Sequence, residues 1–280
     1  EGQAGVAGVG VALVCLTMDQ THWLLALPLA VIGAMAFGAG WAAVPAYLQA
    51  KRGSHIVITT IMFNYIAAAL LIYLLNNYLK VDGAMALETR RFAEGAQIPS
   101  MQDIAGWFGF EIARSPMNLS FFLALGASFL VWLIIWRSRL GYEIRAFGFS
   151  EKAAVYAGIS PFKIIMVAML MSGALAGMMA INTVMGSEKR LVLDSVLGAG
   201  FVGIAVALMG RSHPVGVILA ALLFGVLYQG GAELAFVIPS IPSKMILTIQ
   251  ALVILFTGSL ENMVRFPLER LFLRFNRETT

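Results

Sequence analysis

Of 280 residues, 60% are hydrophobic, a further 28 are glycine and only 12% are charged, against about 25% charged in an ordinary soluble domain. A helical bilayer span uses about 20 apolar residues, so the composition has room for about eight spans and little else. A soluble enzyme, a disordered chain and a nucleic-acid binder are excluded, and the net charge of +4 with a pI of 9.3 reads as membrane topology, not as an anionic partner.

In chain order, apolar runs fall at 4–18, 24–48, 56–78, 119–136, 164–185, 196–209, 214–229 and 245–258. They predict an all-α polytopic helical bundle of about eight spans, since their length and lack of period-two alternation exclude β-barrel strands. Three of the runs fall short of a full span, which predicts half-helices or segments packed within the bundle. The opening Glu1-Gly2-Gln3 enters an apolar run with no initiating Met, basic n-region or small-residue cleavage site. It is neither a signal peptide nor a natural start, and a missing amino end is expected. The single Cys15 excludes an intrachain disulfide.

Basic residues on alternate connections set the orientation. Lys51, Arg52, Arg137, Arg139, Arg145, Lys152, Lys163, Arg211, Arg265, Arg270, Arg274 and Arg277 fall on one set; Lys80, Arg90, Arg91, Arg114, Lys189, Arg190 and Lys244 fall on the other. The first set is larger and packed into shorter segments, so it is predicted to face the cytoplasm. This makes 79–118 an extracytoplasmic loop, 137–163 a cytoplasmic loop and 259–280 a basic cytoplasmic tail within a chain whose permease domain runs 1–258.

Polar side chains inside spans are the best pointers to a pathway, because exposing them to lipid is costly. Thr59, Thr60, Asn64 and Tyr65 lie within two turns, with Thr60 and Asn64 on one face; Asn182 and Thr183 lie near the outer end of a later span. Interhelical hydrogen bonding accounts for them equally well. No Asp or Glu falls in the middle of a predicted span, which argues against a proton-coupled carrier.

The loop at 137–163 carries the clearest local signal. Ser150 is an N-cap, Glu151 occupies the first turn, Gly158 ends the helix and Pro161 stops its continuation, predicting a helix over 151–157. Two turns do not persist alone in water, so this helix is expected to dock on a partner or on the protein's own membrane face. Ala153, Ala154 and Ala157 would allow close approach, with Glu143, Arg145 and Lys152 supplying charge around it.

Other motifs have plainer readings. Gly198-Ala-Gly200-Phe201-Val-Gly203 fits GxGxxG but opens a membrane run with no acidic residue about 20 positions on, so it is a broken or closely packed helix instead of a dinucleotide site. Gly173-Ala-Leu-Ala-Gly177 is a GxxxG packing motif. No GxxxxGK[ST] occurs, so this chain cannot bind ATP through a P-loop of its own. His22, His55 and His213 have no metal-ligand spacing, Asn118-Leu-Ser120 fits a glycosylation sequon, and Glu188, Lys189, Arg190 and Asp194 read as a solvated turn with local charge pairs.

Taken together, EGQ at 1–3, ITTIMFNYIA at 58–67, GYEIRAFGFSEKAAVYAGIS at 141–160 and GAGFVGIAVALMGRSHPVG at 198–216 resemble the membrane permease subunits of ATP-binding-cassette importers. The resemblance is to the branch of branched-chain amino-acid and simple-sugar permeases, closest to nucleoside or simple-sugar permeases linked to basic-membrane-protein lipoproteins. It implies an inverted-repeat fold of about ten spans, of which two would precede Glu1, with GVAGVGVAL at 5–13 echoing GAGFVGIAVAL at 198–208 as the two repeats. It further implies two cytoplasmic ATPase subunits, a second permease, an extracytoplasmic solute-binding lipoprotein and a bacterial inner-membrane location with the C-terminus inside. No cofactor, metal or nucleic acid is expected in this chain. By the resemblance, Gly141, Glu143, Arg145, Gly148, Ser150, Glu151, Ala153, Ala154, Ala157 and Gly158 form the ATPase-coupling segment. Thr60, Asn64, Tyr65, Asn182, Gly198, Gly200, Phe201 and Gly203 are the candidate pathway residues. The alternatives are an ion-driven secondary transporter and a branched-chain amino-acid permease.

Overall fold

The computed structural model describes residues 1–238 apart from 19, 20, 82, 84, 108, 110–116, 194 and 197, and a few positions between 245 and 256. The predicted eighth run, the basic tail and Asp194 therefore lie mostly or wholly outside the described residues. Ten α-helices are described: α1 Gly2–Thr17, α2 Trp23–Arg52, α3 Ile56–Leu74, α4 Met101–Trp107, α5 Ser120–Arg137, α6 Arg139–Phe149, α7 Glu151–Tyr156, α8 Pro161–Ala180, α9 Ala199–Met209 and α10 Pro214–Val237. Two helices run on into π-helical turns, α3 through Leu75–Leu79 and α8 through Ile181–Ser187. Five of these segments are long and apolar enough to cross a membrane, and α1 and α9 are shorter apolar helices. The chain is an all-α, multi-pass membrane protein.

The chain divides into a unit of residues 1–200 and a second of 201–280. In the first, α2 presents Ala30, Ala34, Gly38, Ala42 and Ala46 at four-residue intervals, all buried. This stripe meets Gly173 and Gly177 of α8. A Cβ on Gly38 would collide with the carbonyl oxygen of Gly173, and one on Gly173 would lie 2.5 Å from Ala42 Cβ. The backbones are in contact, and lipid-like dispersion packing replaces the hydrophobic drive that water would supply. The GxxxG reading of 173–177 is thus correct, and its partner is the small-residue stripe of α2. Helix α1 packs in the same way, its Gly10 against Gly33 and Phe37 and its Gly8 against Leu191 and Val184. Helix α2 ends at Gly53, whose φ of 67° accommodates hydrogen bonds from Gly53 N–H to Gln49 O and from Ser54 N–H to Leu48 O.

The segments following α3 and α8 form one cap. Thr89 N–H donates to Leu191 O and Leu191 N–H to Thr89 Oγ1, both at 3.0 Å; Phe92 N–H donates to Lys189 O at 2.9 Å. Arg190 Nη1 meets Glu88 Oε1 at 2.7 Å. The pairing of Arg190 is therefore with a residue 102 positions away, and not local to its own turn as the sequence suggested. Phe92, 2% exposed, closes the cap over the core.

In the second unit, α9 and α10 pack through Ala205, Val206, Ala220 and Phe224. The turn between them is tight: a Cβ on Gly216 would collide with Gly210 O, and Arg211 and Ser212 adopt positive φ of 52° and 53°. The run predicted at 214–229 continues to Val237, because Gly230 and Gly231 do not interrupt the helix. That extension brings Glu233 into the last turns of α10.

Candidate coupling and translocation sites

The segment at 137–163 is not the loop the sequence suggested. It is two helices, with a single serine before each, at 138 and 150, and a four-residue turn, 157–160, before α8. Ser138 Oγ donates to Ile134 O at 2.6 Å and accepts from Gly141 N–H at 3.0 Å, ending α5 and opening α6 with one side chain. Gly141 is buried at this corner, where a Cβ would collide with the carbonyl oxygens of Ile134 and Ile135. Ser150 ends α6 and caps α7, accepting from Ala153 N–H at 3.4 Å. Gly158, at φ 83°, completes a Schellman stop in which Gly158 N–H donates to Val155 O and Ile159 N–H to Ala154 O, each at 3.0 Å. The predicted N-cap and glycine stop hold, whereas Pro161 is the first residue of α8, a favoured place for proline, and not merely a barrier.

The predicted coupling residues separate into two groups. Glu143 lies 3.7 Å from Arg139 Nε and 3.6 Å from Lys163 Nζ, bracing α6 against the start of α8. Phe162 beside it takes Lys51 Nζ at 5.2 Å over its ring and Tyr47 edge-on, joining the start of α8 to the end of α2. Glu143 is thus a brace and not a free docking charge. Ala154 is 3% exposed, so it faces inward and cannot meet a partner. Arg145, Gly148, Glu151, Ala153, Ala157 and Gly158 are exposed. The sequence reading missed two residues on this surface: Phe149 and Tyr156, 91% and 94% exposed on either side of Ala153. Aromatic side chains held in water at the ends of a capped helix were a legible signal of docking.

The predicted pathway residues are not gathered into one site. Thr60 Oγ1 donates back to Ile56 O and Val57 O within its own helix. Asn64 Oδ1 accepts from Gly2 N–H at 2.9 Å, fixing the start of α1 at the middle of α3. Thr60 is satisfied within its own helix, whereas Asn64 Nδ2 has no partner among the described residues. Tyr65 is exposed. The contact of Gly2 with Asn64 also sets Glu1 at that depth, where Glu1 Oε1 is buried without a hydrogen-bond partner among the described residues. A Cβ on Gly200 would lie 2.8 Å from Glu1 Cγ, so this glycine leaves room for the Glu1 side chain. Glu1 precedes α1 as its N-cap, so it leaves the expectation of no Asp or Glu in the middle of a span as it stood. Gly198 takes φ 83° at the entry to α9, and Phe201 and Gly203, exposed, belong to the second unit.

Asn182 lies in the first turn of the π-helical segment after α8. Its Oδ1 accepts from Asn118 Nδ2 at 2.9 Å and from Ser120 Oγ at 3.0 Å. Asn118 Oδ1 in turn accepts from Ser120 N–H at 2.9 Å, and Asn118 is 7% exposed. The sequon reading at 118–120 fails on this point, since the amide is buried and engaged.

The family profile described as branched-chain amino acid transport system / permease component matches residues 2–258. The chain belongs to this permease family. The permease is similar to the guanosine ABC transporter permease protein of Bacillus subtilis, with 36% identity over 97% of this chain and 75% of that one. It is also 31% identical to the glucose ABC transporter permease protein of Haloferax volcanii, over 90% of this chain and 65% of that protein. The nucleoside ABC transporter permease protein NupB of Lactococcus lactis is 31% identical over 91% of this chain and 70% of its own length. No solved structure gives a significant match.

Proposed function

We propose that this permease is the membrane subunit of an ATP-binding-cassette importer that moves a nucleoside or simple sugar into the cytoplasm by alternating access. The observation that carries the reading is the α6–α7 hairpin. It is a capped, two-turn helix with Phe149, Ala153, Tyr156 and Ala157 exposed, braced through Glu143, Lys163 and Phe162 onto the ends of α2 and α8. A helix this short is stable only when held by its caps and a docking partner. The partner proposed is the cytoplasmic ATPase, one for each of two paired permeases, with ATP bound wholly on that chain and solute delivered by an extracytoplasmic binding lipoprotein. ATP-driven closure of the ATPases would push α7, and the brace would pass that motion to α2 and α8, whose small-residue contact lets them slide as one body. The permease does no covalent chemistry. By this reading α6 and α7 lie in the cytoplasm, the cap joining 88–92 to 189–191 lies outside, and the membrane is the bacterial inner membrane.

The substrate class rests on the relatives, whose names give guanosine, nucleoside and glucose. Uptake of labelled guanosine and glucose by cells carrying the complete transporter tests it. Import of one, lost when the ATPase is inactivated, is the expected result.

An ion-driven carrier is the second reading, and the buried Glu1 carboxylate favours it. It predicts uptake that survives ATPase inactivation and collapses with an ionophore.

A further inference from the structure

Asn182, like Asn64, has its amide oxygen engaged and its Nδ2 without a partner among the described residues, and of the two only Asn182 is exposed. A backbone N–H can only donate, so Ser120 N–H fixes which end of the Asn118 amide is oxygen. Asn118 must then present its Nδ2 to Asn182, and only the oxygen of Asn182 can receive it. Ser120 Oγ, at 3.0 Å, binds the same oxygen. The Asn182 amide is thereby held in one orientation, its Nδ2 without a partner among the described residues and on the exposed side of the helix. Two features make this placement specific. The π-helical segment Ile181–Ser187 carries Asn182 in its first turn, at the change from α-helical to π-helical bonding. Gly186 leaves the space Asn118 occupies, since a Cβ there would collide with Asn118 Nδ2. A free amide facing lipid is costly, so the exposed side here is water at the outer end of the span, a water-filled path or a protein surface.

We propose that Asn118 and Ser120 are positioning residues that hold Asn182 with its amide N–H groups turned into the translocation path, where they donate to an acceptor on the passing solute. The inference rests on the transport reading above and adds a specificity element to it. For a purine nucleoside, the acceptor is the carbonyl oxygen at C6; Asn182 then favours solutes carrying that carbonyl over those carrying an amino group there.

The orientation argument supplies its own test. Asn118→Asp keeps the acceptor for Ser120 N–H but replaces the donor facing Asn182 by an oxygen, so the Asn182 amide turns over and presents its oxygen to the path. The readout is competitive uptake of inosine against adenosine, which present a carbonyl acceptor and an amino donor at C6 with the reverse change at N1, in cells carrying the complete transporter with its ATPase and binding protein. The expected result is a shift of the inosine-to-adenosine ratio toward adenosine by about tenfold, with Asn182→Asp shifting it the same way. Ser120→Ala, which removes one restraint without recasting the cluster, should loosen the ratio and leave maximal uptake near that of the unaltered protein. An unchanged ratio in variants that reach the membrane overturns the inference, as does a uniform loss of uptake for both solutes, which marks a purely structural cluster. If Asn118→Asp fails to reach the membrane, Asn182→Asp and Ser120→Ala decide by the same ratio. If the unaltered transporter imports neither nucleoside, the nucleoside reading falls first and this inference with it; import with an unmoved ratio removes this inference alone.

Discussion

Single side chains decide whether the coupling segment is a surface or a strut. Ala154 is buried and Ala153 and Ala157 are exposed, so the three alanines that look alike in sequence have opposite fates. Ala154→Glu places an unpaired charge in a buried site and should abolish accumulation of folded protein, read as loss of the membrane-inserted species. Ala153→Glu should leave insertion unchanged but separate ATP hydrolysis from uptake, because the charge enters the docking face. Normal uptake by Ala153→Glu would remove α7 from that face. At the other side of the molecule, Ser100 and Asp103 form a reciprocal cap on α4: the Ser100 hydroxyl donates to Asp103 Oδ2 at 2.7 Å, Ser100 N–H donates to it at 2.9 Å, and Asp103 N–H donates to Ser100 Oγ. The Ser100 hydroxyl and then its N–H hold the Asp103 carboxyl below its ordinary pKa of 3.8, with Lys189 adding to the effect and partial burial opposing it. A carboxylate lowered in the folded state stabilises above its unfolded pKa and loses that stabilisation as pH falls through the folded value. Asp103→Asn should therefore speed hydrogen exchange of the α4 amides at neutral pH, with the gap from the unaltered protein closing in acid below pH 3.8. A gap that persists there would show the cap to be steric only.

Among the elements, the spans and the short α7 were legible in the sequence for different reasons. Spans follow from apolar length, which membrane physics makes nearly sufficient, and α7 follows from Ser150 and Gly158, whose side-chain oxygen and positive φ act within one turn. Helix α6 was not legible because Arg139, Glu143 and Arg145 break its apolar pattern, and its start depends on Ser138 serving two helices at once. The Asn118–Asn182 and Glu88–Arg190 links join residues 64 and 102 positions apart, so no local rule reaches them. The four-residue stripe of Ala30, Ala34, Gly38, Ala42 and Ala46 was in plain view and pointed to the partner of Gly173 and Gly177. Widening that contact is the test proper to this scale. Gly38→Leu should destabilise the α2–α8 pair by about 1–3 kcal/mol through overpacking, read as a lowered thermal midpoint in detergent. Gly40→Leu, on the same helix with open space around it, should be near neutral. Equal effects from the two would contradict the close backbone contact.

For the whole molecule, composition excluded a soluble protein and family membership followed from the full-length match, but the division of labour among chains comes from the surface. The exposed residues of α6 and α7 and the braced ends of α2 and α8 describe a part that is moved by something else. On the proposed reading the solute is met elsewhere in the fold, at Asn182, while the Glu1 Oε1 atom, buried without a partner among the described residues, is what the gradient-driven alternative rests on. The central claim is that force enters at α7 and is supplied by ATP on another chain. The most direct measurement is solute uptake into proteoliposomes holding the permease pair, the ATPase and the binding protein, with ATP inside the cytoplasmic compartment and every ion gradient collapsed by ionophore. Uptake that depends on ATP and is lost in Ala153→Glu while hydrolysis continues is the predicted result; uptake that stops with the ionophore and proceeds without ATP would contradict it.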